Sequence, residues 1–331
     1  MQIVFLNTFE KWLPDGSALS AQLTICEQQG LWSVLWKKQS GHEDESPSIW
    51  YEGISWEEML TAFRHGVAIQ MGEGFTPIID GMLEDKPIGR GSTVSKLQCY
   101  GELHAKPELF EQLREWRRLK ALSEKKSAYL VATNRMLWMI SAFVPHTPEQ
   151  MRQIPGWGTS KQESYAAEVL DITREFEQQC VFPLDWVEGA LEQDVYTKWL
   201  FKQKENKYKS RMDKQQLNRR ILQFVKEGGT LEQLSGETGL PRRELMERIE
   251  QLEQEGYDME PLISRELSEM PPEEQQQVWN ALLEEGDKYL KPILHRVYGE
   301  ETNFGNKLDI IYDRLRMLRL RFRRSADPQA M

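Results

Sequence analysis

The chain has 331 residues, of which 40% are hydrophobic, with a mean hydropathy of −0.61 and a formal net charge of −10. That composition supplies two or three hydrophobic cores without a disordered bias, and it excludes a uniformly basic nucleic-acid binder. No apolar run approaches the length of a membrane span, and Met1-Gln2-Ile3-Val4-Phe5-Leu6 lacks the charged start and long core of a signal peptide, so a cytoplasmic multidomain protein with no membrane partner is expected.

Cys26, Cys99 and Cys180 stand far apart, and the five histidines are scattered, so neither a disulfide framework nor a zinc site is indicated. No metal and no cofactor are expected. Where the charge sits matters more than its sum. Positions 1–104 hold 7 basic against 14 acidic side chains, 105–176 hold 11 against 9, 177–215 hold 7 against 7, and 216–331 hold 17 against 22. Only the second segment is positive, which is where a phosphate backbone is best met.

The expected fold class is α+β multidomain: a mostly β N-terminal domain, then an all-α bundle, then a helix-turn-helix and helical C-terminal region. Within 1–104, Gln2–Leu6 reads as a strand, Leu19–Glu27 pairs with Leu31–Lys37 across Gln28-Gln29-Gly30, and Ile49–Gly53 is a third strand. A short helix from Trp56 through Arg64 follows, capped by Ser55, and strands resume at Pro77–Leu83 and Ser95–Tyr100. Trp32, Trp36, Trp50, Tyr51 and Trp56 are read as an aromatic core in preference to a base-stacking platform, because the segment is acidic. The loop Lys86-Pro87-Ile88-Gly89-Arg90-Gly91-Ser92-Thr93 has glycines and hydroxyls but no Gly-Lys-Ser/Thr, so it is not a P-loop. Asp80, Glu84 and Asp85 lack metal-ligand spacing, and no catalytic residue is assigned.

From 105 to 177 the sequence writes a small helical domain. Leu109, Leu113 and Trp116 recur at helical spacing; Asn134 is placed to cap a helix carrying Leu137, Ile140 and Val144; Thr147-Pro148-Glu149-Gln150 is a capping box, and Ser160-Lys161-Gln162-Glu163 a second. Between them, Ile154-Pro155-Gly156-Trp157-Gly158 makes a tight turn that offers backbone N–H groups at a helix start, a corner suited to a phosphate oxygen. The order of a basic helix Leu113-Arg114-Glu115-Trp116-Arg117-Arg118, an extended Ala128-Tyr129-Leu130-Val131, the helix after Asn134, Pro145 and Thr147, then Ile154-Pro155-Gly156 with Gly158, Lys161 and Tyr165, resembles an HRDC domain. That module follows the catalytic part of RecQ-type helicases and of RNase D. The resemblance implies a helical auxiliary domain, several members of which bind single-stranded nucleic acid weakly through a basic and aromatic surface. No helicase motor precedes the segment, and no RNase D-type carboxylate set is seen.

Positions 178–215 form a lysine-rich helical linker in which Lys198, Lys202, Lys204, Lys207, Lys209, Arg211 and Lys214 interleave with Tyr196, Trp199, Phe201 and Tyr208. This is either a second backbone contact or a solvated helical face. Residues 216–258 read as a helix-turn-helix, with Thr230-Leu231-Glu232-Gln233 a capping box and Gly239-Leu240-Pro241 the turn, and resemble the helix-turn-helix C-terminal in some RecQ-type helicases. Glu244, Glu247, Glu250, Glu253 and Glu255 on its second helix oppose groove reading, leaving Arg242 and Arg243 at most to touch backbone. The 259–331 tail is helical, and its arginines from Arg314 to Arg324 suggest nucleic acid, an acidic partner or a membrane surface, but are read in preference as pairing with the protein's own glutamates.

The function these features suggest is a non-catalytic nucleic-acid-binding accessory protein that contacts single-stranded or junction DNA, with RNA as the alternative strand, in replication or repair. Lys125, Lys126, Arg135 and Lys161 would neutralise phosphates, Tyr129 and Trp157 would stack, and the Gly156 and Gly158 amides would take a phosphate oxygen; Tyr129 rests on the family resemblance. Each has an ordinary alternative: Tyr129 as core, Trp157 as cover of the turn, Lys161 as a solvated first-turn residue. A protein-interaction adaptor recruiting a separate helicase or nuclease is the competing function.

Overall fold

In the computed structural model the described residues are 1–39, 46–83, 93–299 and 308–326. The loop at 86–92, the Glu84 and Asp85 carboxylates and part of the helical tail at 300–307 lie outside them. The chain divides into two compact units, Met1–Lys209 and Ser210–Met331.

The first unit opens with β1 (Gln2–Trp12), β2 (Ala18–Gln28), β3 (Leu31–Gln39), β4 (Ser48–Gly53), α1 (Trp56–Gly72) and β5 (Thr76–Pro77). The five strands form one sheet of order β4-β3-β2-β1-β5, with antiparallel pairing throughout. Gln29 and Gly30 both have positive φ, 53° and 82°, the signature of a two-residue turn whose twist matches the strands it joins. Alternation then sends Phe9, Leu23, Val34 and Trp36 to the face that α1 covers with Met59, Phe63 and Val67. Trp36, 3% exposed, stacks on Trp50 at 5.2 Å and meets Phe9 edge-on at 5.1 Å. A Cβ on Gly66 would lie 2.2 Å from the Trp50 ring, so α1 crosses that ring at a glycine. Trp36 is core, Trp32, Trp50 and Tyr51 pack against it half-buried, and Trp56 is 46% exposed, against the expectation of a fully aromatic core.

Past the sheet the structure departs from the sequence reading. The strand expected at Pro77–Leu83 is only the two residues of β5: Ile78 N still bonds Thr8 O at 2.9 Å, but at the next residue the Asn7 side chain takes the place of a backbone partner, donating to Ile79 O at 2.8 Å and accepting from Ile79 N at 3.1 Å. The strand expected at Ser95–Tyr100 lies within a helix, α2 (Thr93–His104). Leu97 and Gly101, four apart, sit on its buried side. A Cβ on Gly101 would lie 2.7 Å from Met139 Cγ and 3.0 Å from Met139 Cα, so this glycine lets α2 press onto the next bundle.

That bundle comprises α3 (Pro107–Ser123), α4 (Ala128–Val131), α5 (Asn134–Phe143), α6 (Pro148–Met151) and α7 (Thr159–Thr173) around Leu109, Leu113, Leu137, Ile140, Phe143, Ile154 and Val169. The Thr147 capping box forms with Gln150. Two local expectations are corrected. Asn134 is not the cap of α5; Thr133 is, accepting from Met136 N at 3.3 Å. The Ser160 box does not form, because the chain enters α7 two residues earlier with Gly158 as its N-cap and Gln162 N bonded to Gly158 O at 3.0 Å.

A 3₁₀ turn (Leu184–Trp186), α8 (Val187–Ala190) and α9 (Gln193–Lys226) follow. Tyr196, Phe201 and Tyr208 are buried and Trp199 Nε1 donates to Glu102 at 2.8 Å, so the aromatics of α9 are interior and Lys198, Lys202, Lys207 and Lys209 are its exposed side.

The second unit is helical: α10 (Leu231–Thr238), α11 (Arg242–Gln254), α12 (Glu260–Leu267), α13 (Pro272–Glu285), α14 (Leu290–Tyr298) and α15 (Leu308–Ala326). The Thr230 capping box forms with Gln233, Gly239 turns the chain at φ 68°, and Leu231, Leu234, Leu245, Ile249 and Leu252 are buried in the helix-turn-helix core. The tail arginines meet carboxylates of the same unit: Arg319 with Glu250 at 2.8 Å, Arg314 with Glu269 at 3.2 Å, Arg321 with Glu260, Arg323 with Asp287, and Arg324 with Glu253 and Glu260. Arg242, expected at most to touch a nucleic-acid backbone, is tied to buried Asp313 at 3.0 Å.

Candidate nucleic-acid interface

The surface of interest starts at the C-terminal end of α3. Helix propagation stops after Ser123, Lys125 takes a left-handed conformation at φ 53°, and Lys126 N returns to Ala121 O at 3.0 Å. The turn leads into α4, a single helical turn where extended chain was expected: Leu130 N bonds Ser127 O at 2.9 Å and Ala132 N bonds Ala128 O at 3.2 Å. Val131 points into the core, which leaves Tyr129 outward at 66% exposed. Tyr129 is therefore a surface ring and not core.

Two of the four expected cations have other work. Lys161 donates to the carbonyl oxygens of Leu130 and Val131 at 2.5 and 2.7 Å, closing the end of α4; burial, then repulsion from Lys126, pulls its pKa below the usual lysine value. Lys126 pairs with Glu124 at 3.1 Å, and Glu124 also accepts from the Tyr165 hydroxyl at 2.8 Å. Those bonds, Tyr165 first, hold the Glu124 carboxyl below the ordinary range. Beside them Glu168 accepts from Lys120 and from Trp116 Nε1 at 2.7 Å. This side of the bundle is charge-matched.

Lys125 and Arg135 are exposed and have no ion-pair partner among the described residues. Arg135 sits in the first turn of α5 and lines a groove of about 880 Å³ together with Tyr129, Arg117, Asn134 and Gly156. Arg117 is fixed there by donating to Ala132 O at 2.9 Å and to Asn134 Oδ1 at 2.8 Å. Its guanidinium pKa is lowered by burial and by neighbouring Arg114.

Gly156 bends the chain at φ 87°, and a Cβ there would meet Met136 Cε at 2.4 Å, so the turn needs glycine both for its backbone and for its space. Gly156 and Gly158 are exposed, while the residue between them is not. Trp157 is 3% exposed within the bundle core, so it covers the turn from inside and has no free ring face to stack on a base. Of the eight residues singled out from sequence, Tyr129, Arg135 and Gly156 converge on one groove, Lys125 and Gly158 are exposed outside its lining, Lys126 and Lys161 are engaged within the protein, and Trp157 is interior.

Sequence reasoning missed Arg117 and Asn134, together with Gln98 from α2 and Gln203 from α9, which complete the groove. Arg117 carried a signal as part of the basic first helix. The glutamines carried none, since they reach the groove only through packing of helices distant in sequence.

Among the described residues no group of three or more His, Cys, Asp or Glu side chains is placed to hold a metal ion, and no helix is long and apolar enough to cross a membrane. Residues 106–173 match the family model of the HRDC domain, which is a non-catalytic fold. No curated protein and no solved structure matches the chain.

Proposed function

We propose that the chain is a non-catalytic accessory protein whose HRDC domain holds single-stranded or junction DNA, with RNA as the alternative strand, along the groove between Tyr129 and Arg135. The observation that carries this reading is the placement of an exposed aromatic ring and an unpaired arginine on one groove of the one net-positive segment. A ring face stacks on any base and a cation neutralises the adjoining phosphate, so the pair suits a strand without demanding a sequence. With Lys125 and Arg135 as the free cations, binding is modest, and the log–log salt slope for a single strand is about −1.4. Fluorescence anisotropy with a labelled single-stranded oligonucleotide at low salt tests this: saturable binding that is lost on Arg135→Glu supports it, and no binding would falsify it.

An adaptor role, recruiting a separate helicase or nuclease, is favoured by one observation. The second unit neutralises its arginines with its own carboxylates and keeps glutamates on the outer side of α11, such as Glu244 and Glu247, which disfavours DNA there and suits a protein partner. The helix-turn-helix, similar in pattern to that of RecQ-type helicases, serves in this reading as a packing or protein-binding unit. Charge reversal of Lys125 and Arg135 separates the two: loss of oligonucleotide binding supports strand capture, whereas unchanged oligonucleotide binding with retained association to a helicase or nuclease supports recruitment.

A further inference from the structure

The groove beside Tyr129 is shared between the HRDC domain and two helices outside it, since Gln98 of α2 and Gln203 of α9 stand in its lining. Its floor includes the buried thioether side chains of Met136 and Met139, 9% and 1% exposed. A phosphate backbone gains nothing from such a floor. An unstacked base does, because burying its faces against apolar and polarisable atoms replaces the stacking it has lost.

The cation inventory points the same way. Lys126 is neutralised by Glu124 at the surface and Lys161 is tied to the α4 carbonyls, so backbone attraction at the groove rests on few charges and a strand held there by phosphates alone would be held poorly. The glutamines supply what a base edge needs. The Gln98 amide is half-buried and has no hydrogen-bond partner among the described residues. Gln203 donates from Nε2 to Glu102 at 3.3 Å, which fixes its amide plane and leaves its carbonyl oxygen as an acceptor.

We infer that the groove takes an unpaired nucleobase. The base enters past the Tyr129 ring, rests on Met136 and Met139, and presents its edge to Gln98 and Gln203, while Arg135 meets the phosphate outside. This rests on the strand-binding reading above and adds to it that recognition depends on bases and on helices beyond the HRDC domain.

The test uses the full chain and two labelled single strands of about 15 nucleotides, near the upper end of single-strand site sizes. One is intact, and the other carries abasic positions through its centre with every phosphate retained. The abasic strand is expected to bind roughly five-fold or more weakly, the effect of one lost stacking contact. The double variant Gln98→Leu with Gln203→Leu is expected to narrow that gap while leaving abasic binding unchanged, with folding checked by circular dichroism. Equal binding of both strands by the unmodified chain overturns base insertion and leaves strand capture standing; no binding of either overturns both. A folded double variant with an unchanged gap overturns the role of the glutamines, and should that variant not fold, the comparison on the unmodified chain decides.

Discussion

The Lys161 ammonium lies 2.7 Å from the carbonyl oxygen of Val131, the last residue of α4. A one-turn helix leaves its terminal carbonyls without partners, and this lysine satisfies two of them. It thereby holds the turn that presents Tyr129, a positioning role in place of a phosphate contact. Replacing it with methionine keeps the stem and removes the donor. Lys161→Met is expected to cost about 1 kcal/mol of stability in chemical denaturation and to leave the salt slope of oligonucleotide binding unchanged. Arg135→Ala is expected to make that slope shallower by about 0.7.

Tyr129 and Trp157, both offered by the sequence as stacking rings, are expected to separate by experiment. Trp157→Ala removes a 3% exposed side chain and costs about 3–5 kcal/mol of folding free energy. Tyr129→Ala, at a 66% exposed position, changes stability by no more than about 0.5 kcal/mol. The same substitution weakens oligonucleotide binding by about 1–3 kcal/mol. Denaturant titration and anisotropy on both variants check the contrast.

Two adjacent arginines in the second unit differ as sharply. Arg242 holds the Asp313 carboxylate, which is 5% exposed and whose pKa burial raises despite the arginines around it. Arg242→Ala removes its hydrogen-bonded partner, leaving only Arg316 at 3.6 Å, and is expected to cost about 3 kcal/mol. Arg243 pairs with Glu247 at an 82% exposed position, and Arg243→Ala is expected to change stability by less than about 0.5 kcal/mol. Denaturant unfolding followed by circular dichroism compares them.

How much of this could be read in the residues depends on how local the determining contacts are. The Thr147 and Thr230 capping boxes and the Gln29-Gly30 turn are decided within a few residues, and each forms where the sequence places it. The Ser160 box satisfies the same rule and loses, because the glycine turn delivers the chain into α7 two residues sooner. Ser95–Tyr100 has too short an apolar run to distinguish strand from helix, and the deciding contact, Gly101 on Met139, joins positions far apart in sequence. The candidate site divides in the same way. Tyr129 was legible through the family resemblance and Arg135 as a cation of the one net-positive segment, but nothing local says that Lys126 meets Glu124 or that Gln203 reaches the groove.

Acid is expected to loosen the α3–α7 contact. Hydrogen bonds from Lys120, then from Trp116, hold the Glu168 carboxyl below the ordinary glutamate range. Its folded pKa lies below the unfolded value, so its stabilisation is present above about pH 4.3 and is lost as pH falls through the depressed folded value. Stability of the unmodified chain is expected to decline more steeply below about pH 5 than that of Glu168→Gln. Thermal melts across that range measure the difference, and parallel decline in the two proteins contradicts it.

The most direct measurement is amide chemical-shift perturbation on titrating the isotope-labelled chain with a single-stranded oligonucleotide. Strand capture by the groove requires shifts concentrated in residues 128–136 and 155–158, with Gln98 and Gln203 among the side-chain amides that move. Shifts confined to residues 210–326, or none at saturating oligonucleotide, contradict it.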